Sequence, residues 1–162
     1  MRALVIGSAI GLCLASTLAA EPRQPPLLEV VALWLGANFD LPAAPAMPAL
    51  VGVSEAELVE MRYGKPAAVA PGEVVAVYDE GSRAIYVAEG WTGGAPAELS
   101  VLVHEMGHHL QASAGTRFAC PGERERLAYR AQDAWLGLFG ESLESAFGID
   151  AMTVLVQTAC TH

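Results

Sequence analysis

The sequence predicts an α+β fold, a β-hairpin or small sheet packed on a long helix with further helices after it. Three observations carry this reading. Residues 74–87 alternate with period two around a polar turn. The apolar residues of the segments before and after recur at helical spacing instead. A length of 162 residues, 53% hydrophobic and 17% charged, allows one domain with a real core and hardly two.

Taken in order, Met1-Arg2 precedes an apolar run that closes on Thr17-Leu18-Ala19-Ala20, the pattern of a secretory signal peptide over residues 1–20. The run is short for a membrane anchor. Cys13 lacks the small residues that precede a lipoprotein cleavage site. No later segment is apolar enough to span a bilayer, so the expected product is one domain over 21–162, periplasmic or secreted, without membrane insertion.

Leu27, Leu28, Val31, Leu33, Trp34 and Leu35 predict a helix over 26–39. Pro42, Pro45 and Pro48 make residues 40–53 an irregular connection. Ser54 and Glu57 have capping-box spacing, so a short helix follows and stops near Tyr63 at Gly64 and Pro66. The hairpin comes next, then a loop over 90–94. Pro96, with Glu98 behind it, opens a long helix that ends near Gly115. A further helix is expected over 123–138, broken by Gly140, and Asp150 is an N-cap for a last helix running toward Cys160.

The charge balance, 9 Lys+Arg against 18 Asp+Glu for a net −9, leaves no basic surface to neutralise phosphates. Nucleic acid is therefore excluded as an expected partner. Removal of the leader leaves two cysteines, Cys120 and Cys160, in a compartment where disulfides persist, and one bridge between them is the simplest outcome.

The chemistry is concentrated in His104-Glu105-Met106-Gly107-His108, an H-E-x-x-H set in an apolar helical run. Residues four apart on a helix stack on one face about 6 Å along the axis. Two imidazoles so placed hold one zinc and leave two positions open. Glu105 lies roughly 100° around from His104, near enough to act as general base without ligating the ion. His109 points about 140° away from His104 and belongs to packing. His162 has no spacing argument that links it to the site and is expected on the surface.

A catalytic zinc needs a third protein ligand. Glu123, Glu125, Cys120, Asp133, Glu141 and Glu144 are the candidates downstream. Glu125 shares a helical face with Ala128, Tyr129 and Gln132, and small Ala128 lets that face approach another backbone closely. Glu123 lies on a different face, so Glu125 is favoured over Glu123.

His104-Glu105-x-x-His108 followed by Glu125-x-x-Ala128 resembles the zincin metallopeptidases, in the gluzincin-like branch with a glutamate as third ligand. Residues 99–111 and 120–136 also resemble small exported bacterial proteins classed with metallopeptidases and without a known function. The resemblance implies one zinc per chain, held by His104, His108 and Glu125, with Glu105 as base. It implies a peptide or protein substrate cleaved by metal-assisted hydrolysis, and the Tyr86 strand resembles the edge strand that pairs with extended substrate in zincins. Tyr129, one turn beyond Glu125, is placed to donate its phenol proton to a developing oxyanion, with packing against the metal helix as the alternative. The chain is smaller than the large peptidases, with no recognisable pro-segment and no sizeable second lobe. A zinc-stapled binding or structural module is therefore the second reading. A deformylase-type hydrolase is the third and weakest, because its thiol ligand precedes H-E-x-x-H whereas Cys120 follows it.

Overall fold

The computed structural model describes residues 26–160. The predicted leader over 1–20 and His162 lie outside them. Within them six helices and a three-stranded mixed sheet form an α+β fold. The chain order is α1 (Leu27–Phe39), β1 (Ala49–Val53), α2 (Glu55–Tyr63), β2 (Ala76–Asp79), β3 (Ala84–Ala88), α3 (Pro96–Ser113), α4 (Pro121–Gly137), α5 (Leu143–Phe147) and α6 (Ala151–Thr158). Among the described residues no helix is long and apolar enough to cross a membrane.

Local chemistry accounts for most boundaries. The Ser54 hydroxyl accepts from the Glu57 amide while the Glu57 carboxylate accepts from the Ser54 amide at 2.9 Å, and Gly64 at φ 69° closes the helix. Asp79 Oδ2 accepts from both the amide and the hydroxyl of Ser82, which folds the hairpin turn. Glu98 gathers the amides of Gly94 and Ala95 and the Thr92 hydroxyl at the start of α3, with Pro96 in the first turn. Asp150 caps α6 through the Thr153 amide at 2.7 Å.

Two elements depart from the sequence reading. The expected irregular stretch over 40–53 ends in strand β1, which pairs in parallel with β3 and aligns Val51 with Tyr86. Its pairing partner lies beyond a helix and another strand, so no local pattern announces it. Helix α5 occupies the stretch after Gly140, capped by Ser142. The sheet order is β1-β3-β2. The Tyr86 strand is therefore the central one, hydrogen-bonded on both sides. That overturns its expected role as the substrate-pairing edge, and β2 is the edge nearest the long helix.

Alternation along the strands divides the core in two. Ala76, Tyr78, Ile85 and Val87 face α3 and join Leu102, Val103, Met106 and Leu110, with Val31 and Leu35 of α1 completing the larger cluster. Val77, Tyr86 and Ala88 face α2 and pack on Leu58 and Val59. The sheet thus sits between α2 and α3, and α4 packs on the other side of α3.

Candidate metal centre

Helix α3 is buried from Ser100 through Gln111 because it lies between the sheet and α4. That burial is what places polar side chains inside the molecule. Gly107 and Ala128 face each other at the crossing: a Cβ built on Gly107 would lie 3.8 Å from the Ala128 Cα. Two minimal side chains let the helices approach closely, and the approach brings Glu125 of α4 over the His104–His108 face of α3.

The result is a triangle. His104 Nε2 and His108 Nε2 are 3.1 Å apart, and each is 3.1 Å from Glu125 Oε2. These three side chains form a group that can hold a metal ion. Ligand atoms about 2.0–2.1 Å from a tetrahedral ion lie about 3.3 Å from each other, so the observed edges are close to those such an ion requires. Burial pushes the Glu125 carboxyl up, but the hydrogen bonds of His104 and His108 outweigh it and hold the group well below the usual carboxylate range. Burial pulls His104 down, and the hydrogen bond to Glu125 with the charges of Glu105 and Glu125 raises it overall. The hydrogen bond between Glu125 and His104 contributes to both shifts, lowering the carboxyl and raising the imidazole.

The Glu105 carboxylate points from the same helix toward the sheet, where its Oε2 accepts from the Tyr78 amide at 2.8 Å. That amide lies on the free side of β2, since β2 pairs with β3 through its other edge. Tyr129 stands edge-on to the His104 ring, with centroids 4.9 Å apart, and its hydroxyl donates to Gln157 Oε1. Burial, then the Glu125 charge, raises the Tyr129 phenol, which keeps its proton in place. All of these residues line one cleft of about 610 Å³, bounded by Val75–Tyr78 on one side, Arg62 and Tyr63 on another and Ile149 and Gln157 on a third.

The other residues singled out by sequence stand elsewhere. Glu123 accepts from the Ala119 amide at 2.6 Å, a first-turn cap that is not part of the His104–His108–Glu125 group. Asp133 accepts from the Leu143 amide at 2.9 Å, and Glu141 and Glu144 are exposed. Cys120 is bridged to Cys160, with Cα atoms 5.7 Å apart. His109 is 2% exposed and joins the Tyr78 hydroxyl to the Ala46 carbonyl, tying α3 to β2 and to the proline-rich loop.

Two buried glutamines carry no role in the sequence reading, although it places Gln132 on the Glu125 face. Gln132 Oε1 lies 3.0 Å from His104 Nδ1, and Gln111 Oε1 lies 3.2 Å from His108 Nδ1. Spacing offered a signal for both: Gln111 follows His108 by three residues and Gln132 follows Glu125 by two helical turns. Residues 19–162 match the family described as a domain of unknown function (DUF6647). The chain belongs to the DUF6647 family. No curated protein and no solved structure matches the chain. For this DUF6647 member, then, the reading of function rests on the geometry of the cleft.

Proposed function

We propose that the protein is an exported zinc-dependent peptidase that hydrolyses peptide bonds in the cleft beside β2. The observation that carries this reading is the combination of a His104–His108–Glu125 triangle with a carboxylate, Glu105, one residue along the helix and outside the ligand set. Two imidazoles and one carboxylate suit zinc and leave an open position, which distinguishes catalytic sites from the four-ligand structural ones. His104, His108 and Glu125 would hold the ion, and zinc bound there would supply a Lewis acid for a carbonyl and for a water.

The remaining chemistry belongs to the chain. Glu105 takes the proton of the attacking water and returns it to the leaving amine. Its Oε2 is already fixed by the Tyr78 amide, so Oε1 is the oxygen available for proton transfer. Tyr129 can donate to the oxyanion once its hydroxyl leaves Gln157. An extended substrate segment adds to the free edge of β2 at Ala76, the neighbouring outward amide of Tyr78 being held by Glu105. Export rests on the leader pattern over 1–20 together with the Cys120–Cys160 bridge, a bond that persists in oxidising compartments.

The test pairs metal content with turnover. Purified protein should carry near-stoichiometric zinc and cleave members of a mixed peptide library, with loss on chelation and recovery on zinc addition. Glu105→Gln should keep zinc and fold while hydrolysis falls by at least about 10²-fold. Cleavage undiminished in that variant would assign the activity to a contaminant or another site. Zinc bound tightly with no cleavage in a broad panel would favour the binding-module reading.

A further inference from the structure

Resting on the metal reading above, we propose that Gln111 and Gln132 are positioning residues that set the tautomer of the two ligand imidazoles, the Gln111 amide being fixed by a main-chain carbonyl and the Gln132 amide by the Ser100 hydroxyl. Both side chains are buried, Gln111 at 3% and Gln132 at 5% exposed. A buried amide is expected to satisfy both of its ends, and here the far end determines how the near end must face.

For Gln132 the chain of donors begins in the first turns of α3. The Ser100 hydroxyl donates to the Ala97 carbonyl at 2.7 Å. A hydroxyl has a single hydrogen and a carbonyl can only accept, so Ser100 Oγ is left as an acceptor toward its other neighbour. That neighbour is Gln132 Nε2 at 3.4 Å. The amide nitrogen therefore faces Ser100, the amide oxygen faces His104 Nδ1 at 3.0 Å, and only an Nδ1–H completes the sequence.

For Gln111 the argument is one step shorter. Its Nε2 donates to the Arg124 carbonyl at 3.2 Å, which puts Oε1 against His108 Nδ1 at 3.2 Å. Arg124 Nε also stands 3.4 Å from His108 Nδ1, but two donors cannot share that contact as a hydrogen bond. The Gln111 bond is the shorter, and Arg124 has Glu125 Oε1 at 3.8 Å as its partner.

With a hydrogen on both Nδ1 atoms, each neutral imidazole carries its lone pair on Nε2. These are the two atoms that meet Glu125 Oε2 at 3.1 Å. Three electron-rich atoms at that separation repel unless a proton or a cation sits among them, so the glutamines prepare the site for an ion before one arrives. The acceptors are neutral amides, so the orienting partners add no negative charge, and Glu125 is the only anion in the ligand set.

Gln132→Met and Gln111→Met keep roughly the same bulk and remove the acceptor. Zinc affinity, read by competition with a chromogenic chelator at fixed pH, should weaken about 10- to 100-fold in each. Gln132→Glu restores an acceptor and should return affinity to within about threefold of wild type, since a carboxylate orients a ligand imidazole as an amide does. The visible absorption bands of the cobalt-loaded protein should change in Gln132→Met and revert in Gln132→Glu, a signature that a packing role would not produce. Circular dichroism establishes that each variant is folded; if Gln132→Met does not fold, Gln132→Asn withdraws the acceptor by one methylene and serves the same comparison. Wild-type affinity in both methionine variants, or Gln132→Glu no better than Gln132→Met, overturns the proposal. Wild-type protein that binds no zinc refutes the metal reading itself and the proposal with it.

Discussion

At the scale of single residues, one helical step separates three different fates on α3. His104 and His108 point at α4 and meet Glu125, Glu105 points at β2, and His109 is buried against Tyr78 and Ala46. The ligand assignment separates two carboxylates only two residues apart. Glu125→Ala should abolish tight zinc binding, whereas Glu123→Ala removes only a cap and should leave zinc affinity within about twofold, at a cost of about 1 kcal/mol in stability. Titrating both variants with zinc checks this, and a larger loss in Glu123→Ala would reverse the assignment.

At the scale of elements, the site depends on how closely α4 approaches α3 and on what holds α4 there. Ala128 is fully buried opposite Gly107. Ala128→Leu should force the helices apart, costing about 1–3 kcal/mol and weakening zinc binding because Glu125 moves with α4; thermal melts and chelator competition read the two effects separately. The start of α4 is in turn clamped to the end of α6. A Cβ on Gly122 would lie 2.9 Å from the Gln157 carbonyl, so glycine is what allows the two backbones to meet. The disulfide at that junction spans 40 residues, for which chain entropy gives about 4 kcal/mol. Cys160→Ala paired with Cys120→Ala should lower the denaturation midpoint by a corresponding amount, with the denaturant slope as the check that the unfolding remains two-state.

For the whole molecule, the His104–His108–Glu125 group joins elements that are separated by a loop and backed by different neighbours, α3 by the sheet and α4 by α6. An ion bound there binds the folded chain and not the unfolded one, so it stabilises by mass action. Zinc at about 1,000 times its dissociation constant should add about 4 kcal/mol, a rise on the order of 10 °C in the melting temperature. His104→Ala should remove the zinc-dependent part of that rise. An equal zinc response in wild type and His104→Ala would place the ion elsewhere.

What the sequence by itself determined is local: the α+β class, the capping box at Ser54, the hairpin and its turn, the Asp150 cap, and the H-E-x-x-H face with Glu125 on the following helix. Each follows from interactions within a few residues or from a helical period, and so can be read along the chain. Tertiary structure alone decided the rest. Parallel pairing made β1 a strand and moved the free edge from the Tyr86 strand to β2, because a strand's partner is chosen by contacts across the fold. Gln111 and Gln132 stand at helical spacing from His108 and Glu125, but packing decided that their amides meet the histidines. A glutamine at helical spacing is an ordinary surface residue until packing removes water from its amide, and only then must each end find the one partner that fits.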